Sequence, residues 1–215
     1  PYYLNLVNLY RVMGRSKEAI AELEKIIKLN PEDEEVLFNL ANIYDELAID
    51  KNLAAVLYKR VIELNPKHLN AYYYLGILYD SLSRKPEAQD MFRKAIEIDP
   101  INRLAYTKLA YIYRSLEKKQ ELTLLYQKAM AYNLDFFDAY FYIANLYQAM
   151  NKDRDAIKLY RRAIKINPEN IEAYVNISRA YCIIGRNKDA IKSLENALAL
   201  DPKLAIAHNN LAAIY

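Results

Sequence analysis

Proline recurs along this 215-residue chain at Pro31, Pro66, Pro100, Pro168 and Pro202. The gaps are 35, 34, 68 and 34 residues, and 68 is two beats of 34 with one missed. A period of this length constrains the fold more tightly than any figure for composition. Each unit holds two helices and their turns and cannot bury its apolar face alone, so successive units must stack. Such a stack presents a surface to other molecules rather than performing chemistry on a small one.

The repeat extends well beyond its proline. With Leu69 as position 1, Pro100 falls at position 32, and Tyr72, Leu75, Gly76 and Tyr79 fill positions 4, 7, 8 and 11. The same slots read Tyr106, Leu109, Ala110, Tyr113, then Tyr140, Ile143, Ala144, Tyr147, then Tyr174, Ile177, Ser178, Tyr181. Position 11 is Tyr in every unit: Tyr10, Tyr44, Tyr79, Tyr113, Tyr147, Tyr181 and Tyr215. This spacing puts the four residues on one face of a first helix. Ala88, Phe92 and Ala95, at positions 20, 24 and 27, share a face of a second helix. Small residues at 8, 20 and 27 let helix axes approach. Tyr at 4, 11 and often 24 fills the remaining space, with its hydroxyl free to reach a polar partner.

Local signals punctuate the helices. Gly14 and Gly185 suit a left-handed cap after a first helix. Pro86 is tolerated in the first turn of its helix. Asn-Pro and Asp-Pro pairs stop the second helices, because the residue before Pro avoids helical angles. Leu134 stands where Pro is expected, so the second helix of the fourth unit is expected to run on or end loosely. Leu122 replaces Ala at position 20, Val61 and Ile26 replace Ala at position 27, and one extra residue lies between Ala48 and Leu53.

These residues resemble the tetratricopeptide repeat (TPR) family over the whole chain. There are six full units, at about 1–33, 34–68, 69–102, 103–136, 137–170 and 171–204, and part of a seventh at 205–215. The resemblance implies an all-α fold: a right-handed superhelical α-solenoid of antiparallel helix pairs, forming a single body. The chain begins at position 2 of a unit and stops inside a first helix, so it reads as a fragment of a longer protein.

Composition narrows the function classes. No apolar stretch reaches the roughly 18 residues that span a bilayer, so no membrane insertion is expected. The one cysteine, Cys182, excludes an internal disulfide and suits a reducing compartment, which makes a cytoplasmic location the expectation. A net charge of +3 is too small to point to nucleic acid. His68 and His208 lie about four repeats apart, Cys182 has no second Cys at ligand spacing, and the three glycines are isolated. No catalytic residue, metal site or cofactor is therefore expected, and the chain does not read as an enzyme.

The resemblance implies that first helices line a concave groove through positions 2, 5, 6, 9, 12 and 13, which form a second stripe beside the packing face. Position 6 carries Asn39, Tyr74, Lys108, Tyr142 and Asn176. Position 9 carries Asn8, Asn42, Tyr111, Asn145 and Arg179, and position 5 adds Phe38, Tyr73 and Phe141. Of 21 tyrosines, 15 fill packing slots, so only Tyr2, Tyr73, Tyr74, Tyr111, Tyr132 and Tyr142 need another explanation. Asn offers two donors and an acceptor that match a peptide unit, and aromatics act as anchors at a groove centre. The stripe thus predicts a scaffold that binds an extended peptide or partner protein, centred on Tyr74, Tyr111, Phe141 and Tyr142. One version of the family holds chaperone C-termini with cations at positions 2 and 5. Neither position carries a cation here, so such termini are not the expected ligand. Two alternatives stand beside this reading: a substrate-recognition arm of a larger enzyme, such as a protein glycosyltransferase, and a scaffold that self-associates through uncapped ends.

Overall fold

The computed structural model describes residues 7, 9, 10 and 12–215. Among these every regular element is a helix, and the helices fall into two compact units. The first, Pro1–Leu116, contains α1 (Ser16–Leu29), α2 (Glu34–Glu46), α3 (Lys51–Leu64), α4 (Leu69–Ser81), α5 (Lys85–Ile98) and α6 (Arg103–Ser115). The second, Glu117–Tyr215, contains α7 (Lys119–Ala131), α8 (Phe137–Ala149), α9 (Asp153–Ile166), α10 (Ile171–Ile183), α11 (Asn187–Leu200) and α12 (Ala205–Ile214). Within each unit every helix packs on the next in sequence, and first helices also meet across repeats: α2 touches α4, α8 touches α10, and α10 touches α12.

Capping explains where first helices start. The side chains of Asp33, His68, Asn102 and Asn170 accept from the backbone N–H groups of Val36, Ala71, Ala105 and Ala173. Each such cap contributes about 1 kcal/mol. His68 acts here through Nδ1. Second helices start without a side-chain cap, except α3. The extra residue of the second repeat supplies that exception, by placing Asp50 to accept from Leu53 N–H at 2.9 Å.

The end of every described first helix but α12 uses one device. Position 15 is left-handed whatever its residue: Gly14 (φ 69°), Ala48 (51°), Ser83 (60°), Glu117 (53°), Asn151 (60°) and Gly185 (77°). The N–H that follows Gly14, Ser83, Asn151 and Gly185 then donates to the carbonyl of the position-11 Tyr at 2.8 Å. A non-glycine residue in this region is strained by roughly 1–2 kcal/mol. Ala48→Gly is therefore expected to stabilise the chain by about 0.5–1 kcal/mol. Gly185→Ala is expected to destabilise it by a similar amount, through the backbone alone, since nothing lies within 4 Å of an added Cβ. Urea denaturation midpoints that move in the same direction for both variants would contradict this.

The same turn sets an arginine over its tyrosine in three repeats. The guanidinium groups of Arg15, Arg84 and Arg186 lie 5.0, 4.4 and 5.1 Å from the ring centres of Tyr10, Tyr79 and Tyr181. Their Nε atoms donate to Glu18, Glu87 and Asp189. The position-11 Tyr is thus packed on one side and covered by its own turn's cation on the other.

Second helices end where the residue before Pro turns extended: Asn30, Asn65, Asp99, Asn167 and Asp201 have φ between −127° and −136°. At the missed proline α7 neither runs on nor ends loosely. It stops at Ala131, with Asn133 left-handed at φ 52° and Leu134 N–H donating to Ala129 O at 3.2 Å. Asn tolerates that region better than most residues.

The core is wider than the sequence stripe. Beside positions 4, 7, 8 and 11, position 3 is fully buried in Val36, Ala71, Ala105, Ala139, Ala173 and Ala207. Position 10 is buried as well in Ile43, Leu78, Ile112 and Ala180. Within a unit, first helices such as α4 and α10 pack on their own second helix and on the second helix of the repeat before, so their apolar arc exceeds that of a one-sided amphipathic helix.

Candidate functional site

In the second unit the groove-stripe residues of α8 and α10 converge on a buried hydroxyl. Tyr160, on α9, is completely buried, and its O–H lies 2.5 Å from Asn145 Oδ1 and 3.0 Å from Gln148 Oε1. Asn176 Nδ2 donates to the same Asn145 oxygen at 3.1 Å, and Gln148 Nε2 reaches the Asn176 carbonyl at 3.4 Å. The Arg179 guanidinium approaches Gln148 Oε1 at 3.4 Å. Burial pushes the Tyr160 pKa well above its ordinary value; Arg179 opposes this, while Glu172 and Asp153 add to it. The hydroxyl is therefore protonated at neutral pH and available as a donor.

The network opens onto a concavity of about 570 Å³ lined by Asn145, Gln148, Ala149, Glu172, Asn176, Arg179 and Ile183. Asn145 Nδ2 and Asn176 Oδ1 have no hydrogen-bond partner among the described residues. Phe141 and Tyr142 flank the network and are half-buried. Phe141 stacks on Phe137 at 5.3 Å and leans on Tyr160, and Tyr142 meets Tyr126 edge-on at 5.4 Å.

In the first unit the stripe is arranged differently. Asn42 Oδ1 accepts from the buried Tyr58 hydroxyl at 2.6 Å, and Asn39 Nδ2 turns back onto the Glu35 carbonyl of its own helix. These two amides are partly consumed inside the fold. Tyr73 packs edge-on against Phe92 and Tyr74, while Tyr74 meets Phe38 at 5.8 Å and stays 38% exposed. On α6, Lys108 is half-buried and Tyr111 is 61% exposed. Asn8 lies outside the described residues.

Three residues of the second-unit site were not singled out from sequence: Gln148 and Tyr160 of the network, and Glu172, which lines the concavity. Gln148 and Glu172 occupy groove positions 12 and 2, and Tyr160 was counted as framework. The signal that finds Tyr160 is a pairing within one repeat. Where position 24 is Tyr and position 9 is Asn, as in Tyr58 with Asn42 and Tyr160 with Asn145, the two are hydrogen-bonded. Where position 24 is Phe92, position 9 is Ile77.

The two histidines have backbone partners. His68 caps α4, and His208 Nε2 lies 3.0 Å from the Pro202 carbonyl. Among the described residues no group of three or more His, Cys, Asp or Glu is assembled to hold a metal, and no helix is long and apolar enough to cross a membrane.

Models described as tetratricopeptide repeat match residues 1–43, 35–68, 57–90, 137–170 and 159–192, and one described as TPR repeat matches 179–215. No curated protein matches the chain in sequence. Among solved structures, YrrB, a TPR protein with an unusual peptide-binding site, aligns over 87% of this chain and 96% of its own, at 23% identity and a TM-score of 0.62. MamA aligns over 81% and 95%, at 26% identity and a TM-score of 0.58. PilF of Pseudomonas aeruginosa aligns over 99% and 96%, at 15% identity and a TM-score of 0.61, a likeness of fold alone. With repeat models matched along both units, and helix pairs, turns and packing slots in one register, the chain belongs to the tetratricopeptide repeat family.

Proposed function

We propose that this chain is a protein-interaction scaffold that binds an extended peptide, or an extended segment of a partner protein, on the first-helix face of its second unit. The observation that carries this reading is the row of amides on α8 and α10. Asn145 and Asn176 are held in place by Tyr160 and by each other, yet keep a donor and an acceptor open toward a concavity. Preorganised amides hold a backbone without the entropic cost of ordering them on binding. Phe141 and Tyr142 lie alongside as apolar contacts. In the first unit Tyr74 and Tyr111 are the exposed rings that serve the same purpose. The likeness to YrrB, whose site is a peptide-binding one, supports the ligand class.

Selection of random peptides against the 215-residue chain tests the reading. Enriched peptides are expected to lose at least about tenfold in affinity to the double variant Asn145→Ala/Asn176→Ala, because hot-spot truncations cost about 1–2 kcal/mol or more. Helical circular dichroism is expected to persist, since both side chains face solvent on one side. No enrichment, or enrichment of peptides that bind the variant equally well, would reject the proposal.

A further inference from the structure

We propose, resting on the peptide-binding reading above, that the concavity of the second unit selects extended peptides carrying a cation and a carboxylate three residues apart. The cavity holds one charge of each sign. Glu172 and Arg179 both line it, both are exposed, and neither forms an ion pair with any described residue. Six other arginines, Arg15, Arg60, Arg84, Arg93, Arg162 and Arg186, each have a carboxylate within reach. The unpaired acid and base at this site sit at positions 2 and 9 of one helix, α10. They are seven residues apart and so on the same face, separated by about 10.5 Å along the axis.

An extended peptide in the polyproline II conformation rises about 3.1 Å per residue with three residues per turn, so side chains three apart share one face about 9.3 Å apart, close to that distance. A peptide lying along α10 therefore brings one of its side chains to each charge when these are three apart. Between them sit Asn176, with Asn145 bonded to it, where the peptide's own backbone groups would be met. Arg179 is steadied from behind by Gln148 Oε1. Spacing is the property selected; either chain direction satisfies it, because each order of charges fits when the peptide is reversed.

The probes are fluorescein-labelled nonapeptides of Lys and Glu in a Ser/Ala background, with the two charges one, three or six residues apart, and an uncharged Ser/Ala/Thr control. Anisotropy titration against the 215-residue chain is expected to show the three-apart peptide binding about tenfold more tightly than the others. The advantage should shrink as salt rises, because the pair is solvent-accessible. Arg179→Glu is expected to shift preference to two lysines three apart, and Glu172→Arg to two glutamates three apart. Equal affinity for all charge spacings, or no change of preference in either variant, overturns the inference. If peptides from the random selection bind, lose affinity in Asn145→Ala/Asn176→Ala and ignore both charge reversals, the charge selectivity is wrong and the scaffold reading stands. If no peptide from that selection binds, both fall.

Discussion

Tyr160→Ala is expected to be among the most damaging single substitutions in the second unit, at about 3–5 kcal/mol of stability. Two effects add. The ring is completely buried in a cluster with Ala144, Ala156, Ile157, Ile177, Ala180, Tyr181 and Ala190, so its removal leaves a cavity that a helical stack closes only in part. The hydroxyl also anchors Asn145 and Gln148, which lose their inner partner. Tyr160→Phe separates the two, because it keeps the ring and removes only the hydrogen bond. Its cost is expected to be about 1 kcal/mol. Denaturant unfolding followed by circular dichroism measures both. A loss below about 1 kcal/mol for Tyr160→Ala would show that the cluster repacks and that Tyr160 does not organise this region.

The second large effect is expected at Gly76. A Cβ built there would lie 2.8 Å from Phe92 Cε1, and the Phe92 ring is itself wholly buried. Position 8 is Ala, Val or Ser in the other full repeats. The exception follows from the ring that faces it. Tyr58 and Tyr160 are drawn toward a position-9 amide by their hydroxyls, whereas Phe92 has none and its ring lies over Gly76. Gly76→Leu is expected to cost about 3 kcal/mol by overpacking. Gly76→Ala should cost less, since better helix propensity offsets about 1 kcal/mol. The exchange Gly76→Leu/Phe92→Ala restores total volume and should recover more than half of the loss. A double variant no more stable than the sum of the two single changes would refute this size complementarity.

Much of this architecture was legible because it depends on local rules repeated in register. Six aligned units identify packing slots at 4, 7, 8, 11, 20, 24 and 27, and Pro at 32 marks the ends of second helices. Where a rule has two chemical solutions the sequence was less informative. Glycine advertised the left-handed turn at Gly14 and Gly185, but Ala48, Ser83, Glu117 and Asn151 adopt the same conformation without that signature. Leu134 suggested a ragged helix end, yet Asn133 provides a stop of its own. Positions 3 and 10 escaped notice because a periodicity argument assumes one buried face, and these helices have neighbours on two sides.

The candidate site divides along the same line. Residue types at positions 6 and 9 are read directly, so Asn42, Asn145, Asn176 and Arg179 were visible as a polar stripe. Their state was not visible. Asn39 bonds to its own helix, Asn42 is held by Tyr58, and Asn145 is held by Tyr160 while it keeps its amide N–H groups open. By itself the sequence determined the repeat, the helix pairs and the residue types of the stripe beside each packing face, since each follows from spacing along a single helix. Only the tertiary structure decided which amides are already satisfied and that Glu172 and Arg179 share one concavity. Hydrogen-bond partners and unpaired charges depend on which second helix and which neighbouring repeat stand within 3 Å or so, a distance that periodicity does not encode.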